Sequence, residues 1–396
     1  MIGVLAVINL LNYIDRQIIF PLFHEIQLEF GLSDFQLGLI GTVFIVGFSV
    51  TTVPFGVLAD RYSRKTIMFC GVMFWSIATF VTGLAQSFRT LLITRTFVGL
   101  GEASYAPTAT AMIADNFDQS IRARVQGIFH IGMFIGGTLG AMIGAAVVHY
   151  FGSWRLAFVL VAIPGLILGL IILALKDKQH IDHSDHSFRL LPLCTNPIFV
   201  LVVLSGTAAA FTTNAFVSWG VEYIRRYTEY TVLDASIILG VVTLIAGTIG
   251  VLVGSHIADY WYTKTKAGRS LLVACSVLLS IPFFFLGFLT TGSNMVFVLA
   301  FGMGILLISS YFGPVAAVVQ DVVSRNARAT AFAVYVFIIH LLGGATAPAV
   351  VGWLSDIYNL KTALAIATLG QLIAGTLFFV VSYLIVKRHH THEAIA

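Results

Sequence analysis

Four charged side chains sit in stretches that are otherwise apolar. Asp15 and Arg16 are adjacent in a run from Ile2 through Asn9, Asn12 and Tyr13 to Phe23, and Arg95 and Glu102 lie seven residues apart in a second run. An ionised group inside hydrocarbon costs several kcal/mol unless it is paired or reaches water, so such groups mark pathways for protons or charged substrates. Seven residues is two helical turns, which puts Arg95 and Glu102 on one helix face. Burial favours the neutral carboxyl and a neighbouring guanidinium favours the ionised one. A substrate arriving at the arginine, or a change in wetting, can then tip the proton on or off. That is the least equipment that couples a substrate to protons. Asp15 and Glu102 are the candidate proton carriers, and Arg16 and Arg95 are planar forks for a phosphate or carboxylate. The alternative role for the same four groups is a pair of permanent ion pairs that fasten two segments together.

Membrane-spanning helices must position them. The chain has 396 residues, of which 58% are hydrophobic and 10% charged, against about 25% charged in soluble domains. Apolar segments of about 20 residues, enough to cross the bilayer core, fall at 2–23, 36–58, 66–86, 90–114, 125–150 and 155–175, and again at 197–222, 235–259, 270–290, 295–319, 329–354 and 362–386. The first carries a charge pair at full membrane length and reads as a span, not a cleavable leader. Period-2 alternation is absent, so the spans are helices. The expected fold class is an all-α membrane protein of twelve transmembrane helices in two pseudo-symmetric six-helix bundles. Its expected domains are 1–175, a cytoplasmic linker at 176–195, a second bundle at 196–388 and a cytoplasmic tail at 389–396.

With both termini in the cytoplasm, fifteen Lys and Arg lie inside against five outside (Arg89, Arg155, Arg225, Arg226 and Lys361). This positive-inside bias fixes the orientation of a multi-pass protein of the cell (inner) membrane. Glu222, Arg225 and Arg226, at the outer end of span 7, are expected in solvent. No basic run with interleaved aromatics suggests nucleic acid as a partner. Cys70, Cys194 and Cys275 form no metal or disulfide pattern. With no nucleophile–base or ligand spacing, the chain is expected not to be an enzyme and to need neither cofactor nor metal. The expected partners are the substrate, protons and membrane lipids, and the expected state is a monomer.

The halves echo each other. Pro107, Asp115, Arg122 and Arg124 recur as Pro314, Asp321, Arg325 and Arg328, and the loop Gly56-Val-Leu-Ala-Asp60-Arg61-Tyr-Ser-Arg64-Lys65 has a weaker copy from Ser255 to Asp259 with Lys264 and Lys266. Two duplicated halves around a polar linker are the architecture of alternating-access transporters.

The Gly56–Lys65 loop resembles the signature of the major facilitator superfamily. Three further strings resemble its Spinster branch: Asn12-Tyr13-Ile14-Asp15-Arg16, Gly101-Glu102-Ala103-Ser104-Tyr105, and His340 to Pro348 with Gly352-Trp-Leu-Ser355-Asp356. The pattern departs at Gly344, where the branch has an acidic residue. The resemblance implies a proton-linked transporter of lysolipids or sphingosine phosphate, with spans 1 and 4 lining a central cavity. Tyr13, Ser104 and Tyr105 would join Arg16 and Arg95 at the substrate. Asn214 on span 7 and Ser310 and Tyr311 on span 10 would face it from the other half, and His340 would be that half's main titratable group, for coupling, gating or a helix–helix bond. Asp60, Arg61, Arg64, Asp115 and Arg124 would form a cytoplasmic gate. Span 5, with Gly132, Gly136, Gly140 and Gly144, is expected to pack across the interface with the other half.

A cavity charged on one wall and neutral on the other suits an amphiphilic anionic lipid. The alternatives are a proton-coupled transporter of a small organic anion such as a sugar acid, and a lipid-binding receptor without turnover.

Overall fold

The computed structural model describes residues 1–116, 119–175, 191–290, 294–324 and 327–393, and every regular element among them is helical. In chain order these are α1 (Ile2–Gln17), α2 (Phe23–Phe30), α3 (Asp34–Arg61), α4 (Arg64–Thr82), α5 (Phe88–Glu102), α6 (Tyr105–Asn116), α7 (Gln119–Phe151), α8 (Trp154–Ile172) and α9 (Leu191–Cys194). They continue as α10 (Pro197–Tyr227), α11 (Val232–Lys264), α12 (Gly268–Leu289), α13 (Asn294–Ser309), α14 (Phe312–Asp321), α15 (Arg328–Ile338), α16 (Thr346–Ile357), α17 (Leu360–Thr368) and α18 (Gly370–Glu393). Ten helical stretches among the described residues are long and apolar enough to cross a bilayer. The other two expected spans are α5 with α6, and α7, whose apolar part is Ile135–Phe151. Most of the expected linker lies outside the described residues.

Four prolines coincide with breaks in the spans, whereas Pro54, Pro164 and Pro282 lie inside continuous helices and the break between α17 and α18 has no proline. A proline has no N–H to donate, and its ring presses on the carbonyl four residues earlier. Counting back four from Pro21 gives Gln17, where α1 ends. From Pro107 it gives Ala103, between α5 and α6, and from Pro314 it gives Ser310, between α13 and α14. From Pro348 it gives Gly344, the end of a π-helical turn, Ile339–Gly344. There the Ala345 N–H donates to the His340 carbonyl at 2.8 Å. Each break adjoins a residue of chemical interest, as discontinuous helices do at transporter sites and π-turns at functional sites generally.

The chain forms two compact units, Met1–Asp185 with Ile224–Gly240, and His186–Tyr223 with Val241–Ala396. In the first, α1 runs along α7, α3 along α5, and α4 along α5 and α8. Small residues let these backbones approach closely. A Cβ on Gly47 would stand 2.8 Å from the Thr96 carbonyl, and one on Gly101 would stand 2.8 Å from Trp75 Cβ. In the second unit α12 packs along α13 and α18, and Phe216 stacks on Phe284 with centroids 4.4 Å apart.

The glycine stripe of span 5 faces α1 and not the other half, although Thr138 on the same helix does meet the second half of the sequence, its hydroxyl donating to the Gly240 carbonyl of α11 at 3.3 Å. Gly132, Gly136, Gly140 and Gly144 face the α1 backbone at Ala6, Leu10, Ile14 and Ile18, within their own unit. A glycine every fourth residue meets a carbonyl every fourth residue, so the stripe fixes the rotation of α1 and with it Asp15 and Arg16. A Cβ at Gly140 would stand 2.5 Å from the Ile14 carbonyl oxygen, whereas one at Gly137 meets only Gln17 Cγ, at 3.8 Å. Gly140→Val is expected to lower the unfolding free energy in detergent by about 1–3 kcal/mol, the usual cost of overpacking. Gly137→Ala should melt with the parent. Equal melting temperatures for both variants would show that the close approach does not position α1.

Candidate functional site

The four intramembrane charges meet in the first unit as two crossed ion pairs. Arg16 Nε donates to Glu102 Oε2 at 2.8 Å, and Arg95 Nη1 donates to Asp15 Oδ1 at 3.3 Å. Asp15 and Arg16 are neighbours on α1, and consecutive helical residues point about 100° apart, so two adjacent positions reach two different partners on α5.

The pairs differ in access. Asp15 and Arg95 are 2% and 0% exposed. The Thr79 hydroxyl of α4 donates to the second Asp15 oxygen. The Arg95 guanidinium carbon lies 4.8 Å from the Phe44 centroid and 5.9 Å from that of Phe158. Arg95 Nε and Nη2 have no hydrogen-bond partner among the described residues. Arg16 keeps 16% of its side chain exposed while Glu102 has none. Only its Nε is hydrogen-bonded among the described residues, which leaves the Nη1–Nη2 edge open. Its guanidinium carbon lies 4.1, 4.9 and 5.8 Å from the ring centroids of Phe48, Tyr13 and Phe44. Glu102 Oε1 is buried with no hydrogen-bond partner among the described residues. An arginine with one edge on a carboxylate and the other edge open can receive an oxyanion in bidentate fashion.

Three of the expected substrate ligands are buried and engaged within the bundle. Arg95 is sealed beneath Phe44 and Phe158 as the counter-ion of Asp15. The Ser104 hydroxyl is buried and donates to the Gly101 carbonyl at 2.7 Å. Tyr105 is buried between Trp75 and Phe129, with its hydroxyl on the Leu5 carbonyl. Helix breakage explains the last two: beyond Glu102 the chain turns into the bundle at Ala103, and the hydroxyls satisfy backbone groups there. Tyr13 does reach the site, through its ring.

In the second unit Asn214 Nδ2 donates to the Ala210 carbonyl at 2.9 Å and lies beside Gly344, where a Cβ would stand 3.3 Å from it. Ser310 Oγ donates to the Leu306 carbonyl at 2.9 Å. Tyr311 is buried against Phe312, with centroids 4.4 Å apart. His340 is half-buried on the π-turn.

Of the expected cytoplasmic gate, the side chains of Asp60, Arg61, Asp115 and Arg124 lie outside the described residues. Arg64 Nη1 donates to the Ala111 carbonyl at 2.9 Å, tying α4 to α6. A network unforeseen as a site appears at the equivalent place in the second unit. Arg269 binds Asp259 at 2.8 Å and Asp321 at 2.8 Å, joining α11, α12 and α14. The repeat of Asp115 as Asp321 was its signal in the sequence.

The outer end of span 7 also departs from expectation. Arg226 is not simply solvated: it binds Asp34 through both Nη atoms at 2.6 and 2.7 Å, with Gln27 Nε2 on the same carboxylate at 3.2 Å. Asp34 and Glu222 are both buried. Residues 224–240 belong to the first unit, which brings Arg226 to the start of α3.

Residues 5–348 match the model of the Major Facilitator Superfamily. The chain is 33% identical over 380 residues to Protein spinster homolog 1 of Xenopus laevis, covering 89% of this chain and 72% of that protein. It is 31% identical over 386 residues to the Sphingosine-1-phosphate transporter SPNS2 of Mus musculus, covering 91% and 70%. The crystal structure of a bacterial homolog to the human lysosomal transporter Spinster, in an inward-facing and unoccupied conformation, superposes with a TM-score of 0.87 at 24% identity, over 98% of this chain and 97% of that one. A D-xylose-proton symporter shares the fold at a TM-score of 0.77 and 16% identity. The chain belongs to the Spinster branch of the major facilitator superfamily, and it is a multi-pass membrane transporter, not an enzyme.

Proposed function

We propose that the chain moves a lysophospholipid, or a sphingosine-phosphate-like anion, across the cytoplasmic membrane by alternating access coupled to protons. The observation that carries this reading is the edge-sharing of Arg16: Nε on Glu102, with the Nη1–Nη2 fork open and partly exposed. The four charges of the crossed pairs sum to zero. An anion on the fork makes one guanidinium serve two negative groups, and in a low-dielectric site that excess is relieved when Glu102 takes up a proton. Arg16 then holds the headgroup, Glu102 carries the proton, and Asp15 with Arg95 forms a fixed pair behind them. His340, on the π-turn of span 11, is proposed as a gating residue.

A lipid fits the surroundings of Arg16 better than a sugar acid does. Its guanidinium is ringed by Tyr13, Phe44 and Phe48, and the hydroxyls of Thr79, Ser104 and Tyr105 are already engaged inside the bundle. A polyol would leave its hydroxyls unpaired against rings, whereas an acyl chain would not. The relative that carries sphingosine 1-phosphate in its name supports the same class.

The test is proteoliposome flux of sphingosine 1-phosphate, lysophosphatidate and a panel of sugar acids under an imposed pH gradient. Saturable lysolipid movement that collapses with the gradient is expected. Arg16→Ala should weaken half-saturation about 10–100-fold, the loss of a charge-assisted bidentate contact. Saturable movement of a sugar acid with no response to lysolipid would overturn the substrate, and lipid binding with no flux at all would leave a receptor.

A further inference from the structure

Arg16 belongs to α1, but most of what frames its guanidinium comes from α3. The single hydrogen bond at Nε is one point of attachment, and a long side chain held at one point keeps its rotational freedom. The rings supply the missing constraint. The cation sits over the face of Phe48 at 4.1 Å, with Tyr13 at 4.9 Å and Phe44 at 5.8 Å. A guanidinium is attracted to ring faces through its plane, so only its edges remain for hydrogen bonds.

Phe44 and Phe48 are one helical turn apart on a face of α3 that packing fixes. Gly99 of α5 lies against the Phe44 carbonyl, and Gly47 lies against that of Thr96. Phe44 is buried and also covers Arg95 at 4.8 Å, whereas Phe48 is half-buried and borders the accessible part of Arg16.

We infer that Phe48 is a positioning residue for substrate recognition: its face holds the Arg16 guanidinium so that Nε stays on Glu102 and the Nη1–Nη2 fork stays presented to the incoming oxyanion. The inference rests on the headgroup reading of Arg16. A leucine at this position would fill the space without offering an electron-rich face, and a tyrosine would offer both.

Two measurements on the full chain test it. In proteoliposome flux of sphingosine 1-phosphate, Phe48→Leu is expected to raise the half-saturating concentration about tenfold with maximal flux little changed, and Phe48→Tyr to restore the parent value. In detergent without ligand, thermal unfolding of Phe48→Leu, Arg16→Met and the double variant should be non-additive, because the second change removes a contact that the first has already lost. Half-saturation at the parent value in Phe48→Leu would overturn the proposal, as would additive unfolding shifts. If the parent moves no sphingosine 1-phosphate, the headgroup reading fails by itself, and the unfolding cycle still decides whether Phe48 holds Arg16.

Discussion

Glu102→Gln is expected to reduce pH-gradient-driven accumulation of sphingosine 1-phosphate to the level of empty liposomes while counterflow exchange and equilibrium binding survive. Glutamine keeps an oxygen for the Arg16 Nε bond, recorded at 2.8 Å, but its charge cannot change. If anion binding takes up a proton at Glu102, linkage requires the parent's affinity to fall as pH rises through the titration of that carboxyl group, because the bound state holds more protons than the unbound one. The variant should bind with a flat pH profile, at the parent's low-pH affinity or tighter, since Arg16 no longer shares its charge. Radioligand binding across a pH series reads this directly. A slope that persists unchanged in Glu102→Gln assigns proton coupling to another group.

The spans and the four charges were legible in the sequence for one reason: lipid is an apolar solvent, so every charge and every 20-residue apolar run stands out. The breaks near Pro107 and Pro314 were not read from the sequence, where 90–114 and 295–319 stood as continuous spans. What sequence could not show is which of two adjacent charges turns inward. Asp15 and Arg16 differ by one position, and only the rotation of α1 against α7 decides that Asp15 meets Arg95 while Arg16 keeps an open edge. The glycine stripe signalled a close approach, but a residue without a side chain carries no mark of its partner. Phe48 was invisible among 32 phenylalanines, because a ring facing a cation and a ring facing lipid read alike. Its faint signal was the four-residue spacing from Phe44. Arg226 stood at a span end where solvent was the natural expectation, and nothing local points to a partner 192 positions away.

Removal of Arg95 is expected to damage the fold before it touches recognition. Arg95→Ala strands the Asp15 carboxylate in a site where both side chains are sealed, and breaking one member of a buried pair typically costs about 3–5 kcal/mol. It also opens a cavity under Phe44 and Phe158, the rings that cover the guanidinium. Yield and melting temperature in detergent should fall sharply. Asp15→Asn combined with Arg95→Met removes both charges, keeps most of the volume and leaves the amide a partner in Thr79; it should recover most of the lost stability, since a well-packed neutral replacement of a buried pair is often neutral or better. Transport then separates the two roles open to the pair. If Asp15 and Arg95 only fasten α1 to α5, the double variant should carry sphingosine 1-phosphate with parental half-saturation and an intact response to the pH gradient. Should Arg95→Ala instead melt with the parent while losing the lipid, the buried guanidinium is itself the headgroup ligand, and Arg16 must be reassigned as the partner that holds Glu102.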